Sequence, residues 1–109
     1  MLSKEACEPC MIGAPALTEK ERNELVQQLV DWQLRVDDGV PKLKKTYSFS
    51  DFTGALAFTN QVGRLAEQFD HHPLIITEWG KVTVEWWTHK INGLHRNDFV
   101  MAARTDEVA

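Results

Sequence analysis

The chain has 109 residues, 43% of them hydrophobic and 26% charged, and a formal net charge of −4 from 12 Lys and Arg against 16 Asp and Glu. These values describe one ordinary globular domain with a small core, for which self-association is useful. The acidic balance argues against a protein held on nucleic acid through phosphates, which needs a basic face, and no apolar run is long enough to cross a bilayer.

The first residues, MLSKEACEPCMIG, lack the basic stretch, apolar run and cleavage site of a secretory signal. A cytoplasmic location is therefore expected. Residues 1–16 are predicted to be a flexible arm and 17–109 a single domain. Cys7 and Cys10 form a Cys-x-x-Cys, but no second Cys pair completes a zinc site. Pro9, Gly13 and Pro15 surround the pair with loop signals, unlike the strand-to-helix setting of a redox pair. Incidental thiols are the expectation, with partial metal binding or an intermolecular disulfide as alternatives.

A helix is predicted from Thr18, which caps it with Glu21 as its capping-box partner. Leu25, Leu29, Val26 and Val30 form its apolar stripe. In DWQLRV, Trp32, Leu34 and Val36 alternate with polar residues, which predicts a strand. DDGVP is a turn. KLKKTYSF is a second strand through Leu43, Tyr47 and Phe49, with Lys45 interrupting the face. A long helix follows, capped by Ser50 or Asp51. Its stripe is Phe52, Ala55, Leu56, Thr59, Val62, Ala66 and Phe69, widened by Phe58 and Leu65. It should end near Asp70, before the break that Pro73 imposes. LIITEW and KVTVEWWTH flank Gly80 as a hairpin. Val82, Val84 and Trp86 share one face of it, and Thr83, Glu85, Trp87 and His89 the other. Asn92-Gly93 marks a turn, and DFVMAARTDEVA a closing helix. The predicted fold class is α+β: a single two-layer domain whose mostly antiparallel sheet of about four strands carries three helices on one face.

Three of the four histidines crowd together. Glu67 and His71 are four residues apart at a helix end, where a carboxylate can meet and orient an imidazole. His71 and His72 sit where the helix breaks, and His89 closes the hairpin's second strand. Asp98 can add another carboxylate. The set suits either a three-His metal site with an open position or metal-free acid–base chemistry by imidazoles. Spacing alone leaves both open.

Glu67-x-x-x-His71-His72-Pro73, an aromatic at Trp79, His89 ten residues on and Asp98 nine beyond resemble the pterin-4a-carbinolamine dehydratase family. The resemblance spans residues 18–108. The tail WGKVTVEWWTHKINGLHRNDFVMAARTDEVA is especially similar to bacterial members that accompany phenylalanine hydroxylase. One departure stands out: His95 occupies a position where family members commonly carry a helix-capping Thr. Histidine is a poorer N-cap, so His95 reads as a surface residue, with Asn97 or a shifted boundary compensating.

The resemblance implies a hydro-lyase that dehydrates 4a-hydroxytetrahydropterin to quinonoid dihydropterin and so recycles the pterin of an aromatic amino acid hydroxylase. Such a reaction needs an acid for the departing hydroxyl and a base for the N5 proton. It needs no hydride transfer or strong Lewis acid, so neither cofactor nor metal is expected. By position, His71 and His89 would protonate the hydroxyl, and His72 would hold the pterin and handle N5. Glu67 would orient His71. Asp98 would do the same for His89, or hydrogen-bond the pterin edge. Trp87 could offer the substrate an aromatic wall. Implied partners are the pterin, phenylalanine hydroxylase, and further copies in a homodimer or homotetramer. A protein-binding regulatory module, acting on the hydroxylase or on a transcription-factor dimer, is the alternative function. Some family members are also found alongside molybdenum-cofactor enzymes.

Overall fold

The computed structural model describes residues 2–4 and 16–109. Cys7 and Cys10 lie outside the described residues, as does most of the span expected as an arm. Within that span, Leu2–Lys4 form a 3-10 turn against the last helix, and Leu2 is buried.

Helix α1, Glu19–Val26, starts as its sequence predicts. Thr18 Oγ1 accepts from the Glu21 amide at 3.2 Å, and Glu21 Oε1 accepts from the Thr18 amide at 2.9 Å. The helix ends before Val30, which is exposed, while Leu25 enters the core. Strands β1 (Gln33–Asp37) and β2 (Val40–Ser48) are joined by Asp38 and Gly39, whose φ of 50° and 78° give the left-handed pair that a tight hairpin needs. Helix α2, Phe52–Phe69, is capped by Asp51, whose Oδ1 accepts from the Gly54 amide at 2.7 Å. Strands β3 (Leu74–Glu78) and β4 (Lys81–Trp86) form the second hairpin, turning at Gly80 with φ 74°. A 3-10 turn, His89–Ile91, leads to α3, Arg96–Val108.

The four strands make one antiparallel sheet in the order β1-β2-β4-β3. Register aligns Leu43 with Trp86, Tyr47 with Val82 and Ile75 with Val84. Paired residues share a face, so these side chains gather under α2 and α3. Leu43, Val82, Val84, Trp86, Phe99 and Met101 are fully enclosed there. The expected α+β domain is present, with α2 and α3 packed on the sheet and Leu25 of α1 in the same core. Among the described residues, no helix is long and apolar enough to cross a membrane.

The stripe of α2 is centred differently from the expectation. Ala55, Phe58, Val62, Leu65 and Ala66 are buried, whereas Phe52 and Leu56 are exposed. A hydroxyl contact of 2.6 Å between Thr59 and Thr77 joins α2 to the edge strand β3 in that rotation. Phe58 and Leu65, read as the margin of the stripe, are therefore its middle.

Lys45, the interruption in β2, also has its reason. Its side chain lies on the inner face and reaches Asp106 Oδ1 at 2.8 Å. Asp106 also accepts from the Tyr47 hydroxyl and from Trp32 Nε1. Burial, with the Asp106 carboxylate second, pushes the Tyr47 phenol far above its ordinary 10.0. A raised folded value stabilises the fold below the ordinary pKa and withdraws that contribution as pH rises above it. Tyr47 is the one tyrosine of the chain, so tyrosinate ultraviolet absorbance reports it alone. The absorbance should stay flat through pH 10 and rise only with unfolding; a normal titration of the folded protein would contradict the burial.

Candidate active site

The site begins where α2 stops. Asp70 takes a left-handed conformation, φ 49°. The amide of His71 then reaches back to the Ala66 carbonyl at 3.1 Å, a helix-terminating bond one residue longer than the helical one. This break rotates His71 off the helical spiral and against Trp86 of β4. Its ring is buried and lies nearly parallel to the Trp86 indole, 13° apart, at 5.6 Å between centroids.

The partner of His71 is Asp98, on the first turn of α3. His71 Nε2 and Asp98 Oδ1 are 2.6 Å apart. Asp98 is fully buried, and its Oδ2 accepts from the Thr88 hydroxyl at 2.7 Å and from the His95 amide at 2.9 Å. Three donors from three segments therefore converge on one carboxylate. As the Asp98 oxygen accepts, Nε2 of His71 carries the proton, and Nδ1 is the nitrogen left for exchange.

The two carboxylates thus take other partners than expected. Glu67 was expected to orient His71, but the left-handed Asp70 ends the four-residue periodicity, and Glu67 Oε1 meets His72 Nε2 instead, at 3.3 Å. Both members of that pair are solvent-exposed. Asp98 was expected beside His89 or on the pterin edge. Complete burial and three donors leave it no surface to offer a ligand. His89 instead donates from Nε2 to the His72 carbonyl at 3.3 Å, which leaves its own Nδ1 available.

His71, His72 and His89 line one cleft of about 370 Å³ with Asp70, Thr88 and Lys90, a size suited to a small ring system. Trp87, expected as a substrate wall, does not line the cleft. Its indole lies against the His89 ring, 4.3 Å between centroids and tilted 34°. Glu67 stands behind His72 rather than in the lining. Among the described residues, no three His, Cys, Asp or Glu side chains converge as a metal site.

Sequence reasoning missed Thr88 and the stacking role of Trp86. The alternation that buries Val82, Val84 and Trp86 continues to Thr88 and was the available signal. It also missed that His95 caps α3. The imidazole Nδ1 accepts from the Asn97 amide at 3.1 Å, so one tautomer of histidine does here what a hydroxyl does elsewhere.

Replacing Asp98 with Ala strands three donors around a buried cavity. It should cost on the order of 3 kcal/mol in urea unfolding, against within about 0.5 kcal/mol for Glu67→Ala, whose pair is exposed. Equal losses in the two variants would contradict the buried hub.

A sequence profile described as pterin 4 alpha carbinolamine dehydratase matches residues 15–108. A Syntrophotalea carbinolica protein that carries the pterin-4-alpha-carbinolamine dehydratase name is 56% identical over 105 residues, which cover 96% of this chain and 94% of that one. The crystal structure of a transcriptional coactivator/pterin dehydratase from Brucella melitensis is similar, with a TM-score of 0.78 and 35% identity, covering 87% of this chain and 99% of that chain. A pterin dehydratase-like protein identified as a RuBisCO assembly factor in the alpha-carboxysome shares the fold, with a TM-score of 0.63 at 23% identity over 73% of this chain and 90% of that one. The chain belongs to the pterin 4 alpha carbinolamine dehydratase family, a family of hydro-lyases.

Proposed function

We propose that this chain converts 4a-hydroxytetrahydropterin to quinonoid dihydropterin and water by histidine acid–base catalysis, recycling the pterin cofactor of an aromatic amino acid hydroxylase. The observation that carries the reading is the His71–Asp98 pair, buried on one side and opening on the same cleft as His72 and His89.

The reaction breaks the C4a–O bond and forms C4a=N5. The hydroxyl must take up a proton to leave as water, and the N5 proton must depart as its lone pair forms the double bond. His71 donates to the hydroxyl from Nδ1, with the Asp98 carboxylate fixing its tautomer and lying beside the ring while it carries charge. His89, whose Nε2 is engaged by the His72 carbonyl, supports the same oxygen from the other wall through Nδ1. His72, backed by Glu67, holds the pterin and receives the N5 proton. One proton enters and one leaves, so the site is reset by exchange among the imidazoles and solvent. A positioned transfer of this kind is worth typically about 10²–10⁴-fold.

Exposed apolar residues support self-association. Phe52 and Leu56 lie one turn apart on α2, Leu74 and Ile76 alternate on the edge strand β3, and Trp79 projects from its hairpin. With the unpaired edge of β3, they lead us to assign the chain to a homodimer or homotetramer. Light scattering behind size-exclusion chromatography should give a discrete multiple of the 12.5 kDa chain; a monomer at micromolar concentration would remove the assignment.

The reaction is tested by following freshly generated 4a-hydroxytetrahydropterin with and without the protein. Turnover should survive exhaustive chelation. His71→Gln, which can still donate to Asp98, and His89→Gln should each lower kcat by about 10²-fold or more with unchanged circular dichroism. Full activity in both variants would sink the assignment of roles.

A further inference from the structure

We propose that Trp87 is a positioning residue that fixes the His89 imidazole in the wall of the cleft. The proposal rests on the reading of His89 as an acid–base group.

His89 begins a short 3-10 turn and is exposed. Among the described residues its polar contact is Nε2 to the His72 carbonyl, 3.3 Å long, beyond the usual range for such a bond. A contact that weak does not hold an exposed ring in a single orientation, yet acid–base catalysis depends on where the reacting nitrogen sits, and a misplacement of about 1 Å can cost about 10²-fold. The Trp87 indole supplies the missing restraint, packed on the imidazole at 4.3 Å and 34°.

The indole is itself anchored. Trp87 is half-buried, and the Lys42 ammonium sits 4.2 Å from its ring centroid. The Lys42 side chain is mostly buried, with its nitrogen 3.7 Å from Asp37 Oδ2. A line of contacts, Asp37–Lys42–Trp87–His89, thus runs from the β1–β2 hairpin to the cleft. Because Trp87 does not line the cleft, its effect on the substrate passes through His89. A small residue in its place would leave His89, among the described residues, with that long bond to the His72 carbonyl.

The test uses the full chain with Trp87→Leu and Trp87→Phe, and His89→Gln to assign the His89 ring protons by NMR. In the wild type those protons should be shifted upfield by the indole ring current, and Trp87→Leu should abolish the shift. In the dehydratase assay Trp87→Leu should lower kcat roughly threefold to tenfold, the size of a close aromatic contact, with KM unchanged. Trp87→Phe should recover most of the loss. Unshifted His89 protons in the wild type would overturn the proposal. So would an unchanged kcat in Trp87→Leu, or equal losses in the Leu and Phe variants that follow a fall in melting temperature. If the folded wild type has no turnover, the dehydratase reading fails, and the ring-current measurement still decides whether Trp87 holds His89.

Discussion

One buried carboxylate organises this molecule. Asp98 has no exposed surface and accepts from His71, Thr88 and the His95 amide. An isolated anion in such a place would cost several kcal/mol of lost hydration. Three short donors offset that cost, and each comes from a different part of the chain: the end of α2, the end of β4, and the entry to α3. The same bonds that keep the charge tolerable therefore lock three element ends together, and one of the donors is the imidazole assigned here to the chemistry. Stability and positioning are served by the same atoms.

Around that carboxylate the fold works as a set of stops. The left-handed Asp70 halts α2 and turns His71 inward. The bridge between Thr88 and Gly93 closes the segment after β4 into a tight loop that His89 opens and Leu94 follows. The Leu94 carbonyl in turn accepts from the Leu17 amide, which ties the start of the domain to the approach of α3. The central strands β2 and β4 carry the load beneath, with Leu43 against Trp86, and Trp86 is the floor on which His71 stacks.

How much of this was legible in the sequence follows from the range of each interaction. Elements depend on nearest neighbours along the chain, and so the capping box at Thr18, the Asp51 cap and the Gly80 hairpin could all be read directly. The crowding of His71, His72 and His89 was legible too, since element ends are found from the same signals. The pairings inside the cluster were not. The four-residue rule that joined Glu67 to His71 assumes a continuous helix, and one left-handed residue between them voids it. Asp98 and His71 are 27 positions apart, and nothing local distinguishes that pairing from Asp98 with His89. The cap at His95 escaped because propensity averages over tautomers, whereas the structure uses only one. The rotation of α2 escaped because it is set where the two layers meet, with Phe58 and Leu65 buried and Thr59 on Thr77.

The cleft that results has two unlike halves. On one side His71 is buried, stacked and bonded at 2.6 Å to an anion that cannot move. On the other, His72 and Glu67 form an exposed pair at 3.3 Å, of a kind worth about 0–1 kcal/mol. The chemistry has matching unequal demands. Protonating a leaving hydroxyl needs a donor whose direction is set in advance, because misplacement raises the barrier directly. Holding a flat heterocycle and passing an N5 proton toward water tolerates a side chain that adjusts as the ligand enters. Assigning His71 to the first task and His72 to the second gives each the environment it requires. His89 falls between them, exposed like His72 but packed on a ring like His71. Its proper place in that division depends on what restrains its imidazole, and so on Trp87.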